Sequence, residues 1–74
     1  MINMNELKKG DVVRGVHYST RYSKEGIEYF KTIRSIDKEN GCFDIRFKDN
    51  TSWNYDKEGE AHSSFLIDKI LEVL

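Results

Sequence analysis

The chain is predicted to be an all-β domain, a five-stranded antiparallel small barrel with one short helical turn near the C-terminus. Three observations carry that expectation. Phe43, Ile45 and Phe47 alternate strictly with Asp44, Arg46 and Lys48, the period of a strand with one buried and one wet face. Asp49-Asn50 follows at once and is succeeded by a second alternation, Thr51, Trp53 and Tyr55 against Ser52 and Asn54. Asn and Asp tolerate the left-handed dihedrals of a tight turn, so residues 42–55 read as a β-hairpin.

The other elements follow from the same rules. Asn5 to Asp11 reads as a turn or single helical turn ending at Gly10, with Leu7 plugging the core. Val12 to Tyr18 is the first strand. Gly15 inside it signals a bulge, a bend or a close approach of two backbones. Ser19 to Gly26 is polar and turn-rich, the longest loop of the first half. Ile27 to Ile36 is the second strand, with Tyr29 and Ile33 on one face and Phe30 and Ile36 on the other or shifted by a bulge. Asp37 to Gly41 is a turn, Gly41 suiting a left-handed position. Asp56 to Ser64 is a polar loop. The apolar residues of 65–74 fit both a short amphipathic helix and a helical turn followed by a strand. A turn near 64–69 and a closing strand near 70–74 is preferred, because a fifth strand closes a small barrel and removes exposed edges.

Seventy-four residues make one domain, and a chain of this length buries only about 60% of its unfolded surface. Stability on the order of 5 kcal/mol follows, so association with a partner or with a second copy would add usefully to it. Twelve basic and 13 acidic residues give a net charge of −1, which argues against a strongly electrostatic partner. The distribution is uneven. Residues 1–37 carry seven bases and five acids, net +2; residues 38–74 carry five bases and eight acids, net −3. One cysteine, Cys42, excludes an internal disulfide and a cysteine-based zinc site. A disulfide-free domain this small, with no apolar leader and no apolar run of membrane-spanning length, is expected in the cytoplasm.

The order of elements resembles the Tudor- and KOW-type small β-barrels, the Src-homology-3-like architecture. Leu7-Lys-Lys-Gly-Asp-Val-Val13 resembles the usual entry to such barrels. Tyr29 to Tyr55 resembles the Tudor pattern of an alternating strand, Ser-Ile-Asp, an acidic turn with Gly, and a strand ending Phe-x-Asp. The likeness covers about fifty residues. It implies a module that binds methylated side chains, RNA or protein. Trp53 and Tyr55 match the position after the Phe-x-Asp turn where such families place an aromatic, whereas the acidic or asparagine partner of a methyl-arginine cage has no clear match.

No catalytic constellation can be assembled. His17, His62 and Cys42 are isolated, no glycine-rich phosphate loop is present, and no metal or cofactor is expected. His17 reads as an exposed strand residue. The informative set is aromatic and basic. Tyr, Trp and Arg dominate protein interfaces because they offer rigid area with polar tips. Tyr18, Arg21, Tyr22, Lys24, Arg46, Trp53 and Tyr55 are therefore the expected contact residues for a protein partner, through the 17–24 loop and the face of the 42–55 hairpin. The alternative is an RNA- or DNA-binding surface using Arg14, Arg21, Lys24, Lys31 and Arg34, although the domain lacks the basic pI of such binders. A stand-alone chain rich in Lys, Asn and Ile suits a small bacterial or phage accessory protein, an adaptor or an inhibitor of a host or defence enzyme.

Overall fold

The computed structural model describes residues 2–20, 24–63 and 66–74. It contains a 3-10 turn at Met4–Glu6 followed by β1 (Val12–Tyr18), β2 (Ile27–Glu39), β3 (Cys42–Phe47), β4 (Ser52–Tyr55), β5 (Glu60–His62) and β6 (Ile67–Val73). All neighbours are antiparallel, in the order β4-β3-β2-β1-β6-β5. The all-β expectation holds. The count of five strands, barrel closure and the C-terminal helical turn do not. Among the described residues there are six strands, no ladder joins the edge strands β4 and β5, and the helical turn lies at the N-terminus.

Each departure has a local cause. Strand β5 is three residues long inside a polar stretch, and only Ala61 of it is buried, too little to register as alternation. Strand β6 begins at Ile67, not near 70, because its inward positions are Asp68 and Ile70. An aspartate at a core position hides the period of two. Residues 64 and 65 of the expected turn lie outside the described residues.

The two tight turns use the residues expected of them. Asn50 has φ 72°, and Asp49 Oδ1 accepts from the Thr51 amide and hydroxyl. Asn40 and Gly41 have φ 53° and 77°, the paired left-handed conformation of a two-residue hairpin loop. At the N-terminus Asn3 caps the 3-10 turn by accepting from the Asn5 amide at 3.0 Å. Met4 and Leu7 thereby enter the core, with Val13, Ile33, Phe43, Ile45, Phe47, Tyr55, Ala61 and Ile70.

Two bulges bend the sheet. On β2, Arg34 is an extra residue between the pairs Ile33–Phe47 and Ser35–Arg46. On β6, Leu71 is extra between Ile70–Gly15 and Glu72–Arg14. A bulge kinks its strand and raises the local twist. The sheet therefore curls, and side chains on strands that are not neighbours meet across its concave face. The first bulge also explains Ile36, which packs against the core although Phe30, on the outer face, is 56% exposed.

Candidate functional site

Among the described residues the concave face holds one buried charged residue, Asp68 on β6. Its carboxylate is the centre of a four-residue cluster drawn from four strands. Tyr29 on β2 donates its hydroxyl to Oδ1. Tyr55 on β4 donates to the same oxygen at 2.8 Å. His17 on β1, the direct cross-strand partner of Asp68, places Nδ1 3.1 Å from Oδ2. An ionised carboxylate is costly to bury unless its oxygens are hydrogen-bonded, and three donors meet that requirement.

Gly15 makes the cluster possible. It sits on β1 between Tyr29 on β2 and Ile70 on β6, and the phenol crosses the strand where no side chain intervenes. A methyl group on Gly15 would lie 2.3 Å from Tyr29 Cζ and 2.7 Å from the Lys69 carbonyl oxygen. Phe47 packs edge-on against both tyrosine rings, with centroids 6.2 and 6.4 Å apart.

Burial, foremost, and the bond to the Asp68 carboxylate raise the Tyr29 phenol well above its ordinary 10.0. The Tyr55 phenol is raised likewise, by burial first, then by the Asp68 charge and Tyr29. Above pH 10 the unfolded chain therefore releases phenolic protons that the folded chain retains. Stability is full below pH 10 and falls as the pH rises beyond it, by up to about 1.4 kcal/mol per pH unit for each phenol. Alkaline denaturation followed by circular dichroism should show this loss, and Tyr55→Phe should reduce its slope.

The cluster reaches the surface through His17, whose side chain is 30% exposed. The imidazole packs on the half-buried Trp53 of β4, with ring centroids 5.6 Å apart. Directly opposite His17 on β2 stands Ile27, 69% exposed. His17, Trp53 and Ile27 thus lie together at the end of the sheet where β1 ends and β2 begins, with Asp68 beneath them.

No known family, curated protein or solved structure matches this chain.

The residues singled out from sequence separate into distinct places. Trp53 reaches the surface beside His17. Tyr55 does not: it is fully buried, since its hydroxyl is drawn inward to Asp68. Arg46 pairs with Ser52 whereas Trp53 pairs with Ile45, so Arg46 and Trp53 point to opposite sides of the sheet and cannot share a contact face. Tyr18 is half-buried on the convex side, next to Gly26. Lys24 is exposed. Arg21 and Tyr22 lie outside the described residues.

The basic set is similarly divided. Arg14 pairs with Glu72 at 2.9 Å and Glu28 at 3.2 Å. Lys31 donates to Thr51 Oγ1 at 3.0 Å, pairs with Asp49 at 3.2 Å and lies over the Tyr29 ring. Arg34 bonds Asn50 Oδ1 at 3.0 Å. Two of the five cations are thus neutralised by acids of the same chain.

Sequence reasoning missed Asp68 and read His17 mainly as an exposed strand residue. The available signal was Gly15, whose close backbone approach was legible, but nothing local announces which side chain would cross it. Among the described residues no group of three or more His, Cys, Asp or Glu side chains is placed to hold a metal ion, and no helix is long and apolar enough to cross a membrane. A shallow groove at the opposite end of β2 is lined by Asp37, Lys38, Glu39, Cys42, Asp44 and Asn54. Its Cys42 is exposed and pairs with Glu39 at the end of β2 opposite the one where His17 pairs with Ile27.

Proposed function

We propose that this protein is a small cytoplasmic, non-enzymatic module that binds another protein through the patch of Trp53, His17 and Ile27. The observation that carries this reading is the pairing of exposed apolar area with a rigid support. Trp53 and His17 stack at 5.6 Å, and His17 is tied to a carboxylate that two buried tyrosines hold in place. Fixed aromatic and amphipathic side chains lose little entropy on binding, which is why such groups dominate interfaces. The Tudor and KOW resemblance belongs to the same reading, since those modules also recognise side chains, RNA or protein. A role as an adaptor or inhibitor of a larger enzyme fits a domain with no chemistry of its own.

Ile27→Asp tests the patch without touching the core, and Trp53→Ala tests its aromatic half. With tagged protein in lysate of the cells that encode it, each variant should recover at least about tenfold less of the partner than wild type does. Cys42→Ser, at the far end of the sheet, should recover it fully. Undiminished recovery by Ile27→Asp would move the contact surface elsewhere. The competing reading is nucleic-acid binding. A labelled oligonucleotide shifted at low salt, and released steeply as salt rises, would put RNA or DNA in place of the protein partner. The pairing of Arg14 and Lys31 with acids argues for the first outcome.

A further inference from the structure

We propose that two copies of this chain pair through the outer edge of β4, antiparallel about a two-fold axis at Trp53. This self-association goes beyond the binding reading above and does not depend on it.

The phase of the ladder decides which groups β4 leaves open. Phe47 donates its amide to the Thr51 carbonyl at 2.8 Å. Counting back in twos, Ile45–Trp53 and Phe43–Tyr55 are the bonded pairs of β3 and β4, and Arg46–Ser52 and Asp44–Asn54 are the wide ones. The amides and carbonyls of Ser52 and Asn54 therefore point away from β3. Asp56, next in the same phase, donates outward to the Glu60 carbonyl at 2.9 Å. Among the described residues nothing takes up the outward backbone groups of Ser52 and Asn54. Such an edge invites another strand, and folded proteins blunt it with charges or proline. Strand β4 reads Ser-Trp-Asn-Tyr and has neither. The opposite edge, β5, is three residues long, carries Glu60, and has both backbone groups of Glu60 bonded to Asp56.

Symmetry and charge set the occupant. Ser52 and Asn54 flank Trp53 equally, so a two-fold axis there places Ser52 of each copy opposite Asn54 of the other. Those pairs exchange backbone hydrogen bonds in both directions and use every open group. Trp53 faces Trp53 of the second copy as a wide pair, where side chains come closest, and aromatic pairs across strands are stabilising. Beyond the strand the ends are complementary. Lys48 precedes β4 and Arg34 bonds Asn50 beside it, with Asp49 already paired to Lys31. Asp56, Glu58 and Glu60 follow β4, against Lys57 alone. Antiparallel pairing brings the basic entry of one copy to the acidic exit of the other. The contact is short, so association is expected only at high concentration.

Analytical ultracentrifugation of the purified chain from about 10 µM to about 1 mM reads the mass. It is expected to rise from 8.7 kDa toward twice that value. Asn54→Pro removes an outward amide that the ladder does not use, and should hold the chain at the monomer mass. If circular dichroism shows that variant unfolded, Ser52→Pro, at the first position of the strand, takes its place. Cross-linking in a Cys42→Ser background reads the register. Trp53→Cys should oxidise to a disulfide dimer, since a wide pair sets Cα atoms about 4.5 Å apart. Asn54→Cys, although more exposed, should not, because its two copies stand out of step across the axis, beyond the reach of a disulfide. A constant monomer mass, a dimer that survives the proline, or readier cross-linking through Asn54→Cys would each overturn the proposal; the first would leave the edge to a strand from another protein. Partner recovery by Ile27→Asp enters none of these measurements, so failure here and failure of the binding reading are told apart.

Discussion

Replacing Asp68 by alanine is expected to remove most of the stability of this domain. The substitution deletes a fully buried carboxylate and strands three donors, the hydroxyls of Tyr29 and Tyr55 and the imidazole of His17. Hydrogen bonds to charged groups contribute about 1.5–3 kcal/mol each, and an orphaned buried donor costs its desolvation. Breaking such a network typically costs about 3–5 kcal/mol. A domain with on the order of 5 kcal/mol to spare would then be largely unfolded at 25 °C. Urea titration followed by Trp53 fluorescence and circular dichroism would measure the loss. Tyr55→Phe removes one donor and leaves the charge partnered by two others, so it should cost about 1–2 kcal/mol. If Asp68→Ala folds as well as wild type, the carboxylate is not the organising group of the concave face.

Gly15→Ala should be nearly as damaging, for a steric reason. The added methyl would meet Tyr29 Cζ at 2.3 Å, its hydroxyl oxygen at 2.4 Å and the Lys69 carbonyl at 2.7 Å. The tyrosine could swing away only by leaving Asp68, and the Lys69 carbonyl belongs to the strand itself. Overpacking of this kind costs about 3 kcal/mol. Gly41→Ala is the informative control. Gly41 has φ 77° but nothing within 4 Å of an added methyl, so only the left-handed backbone is penalised, at about 1–2 kcal/mol. Thermal melts of the two variants should therefore separate clearly, Gly15→Ala melting lower. The reverse order would mean that the Tyr29 phenol does not cross β1 where it is placed.

These two sites also mark how far the sequence could be read. The hairpin of residues 42–55 was legible because Phe43, Ile45 and Phe47 obey a simple alternation and Asp49-Asn50 suits a left-handed turn. The buried set and the Asn50 dihedral follow that pattern. Gly15 was legible as a bulge, a bend or a close approach; it is a place of close approach, and the bulge lies opposite it on β6. The identity of its visitor was not, since Tyr29 lies on another strand and the contact depends on register. Asp68 was illegible for a deeper reason. A polar residue in a core position looks, in sequence, like an interruption of the strand. Only the arrival of three donors from β1, β2 and β4 makes that position tolerable, and a one-dimensional pattern carries no record of that convergence. Tyr55 was misplaced on the surface by the same ignorance.

The strand order has a kinetic corollary. Strand β1, nearly the first element made, lies in the middle of the sheet and takes as one neighbour β6, the last. Its inward residues Val13, Gly15 and His17 gain their second flank, and His17 its carboxylate, only when residues 67–73 are in place. Such high contact order slows closure to the millisecond-to-second range. On the ribosome β1 must wait for its second neighbour until residues 67–73 have left the exit tunnel.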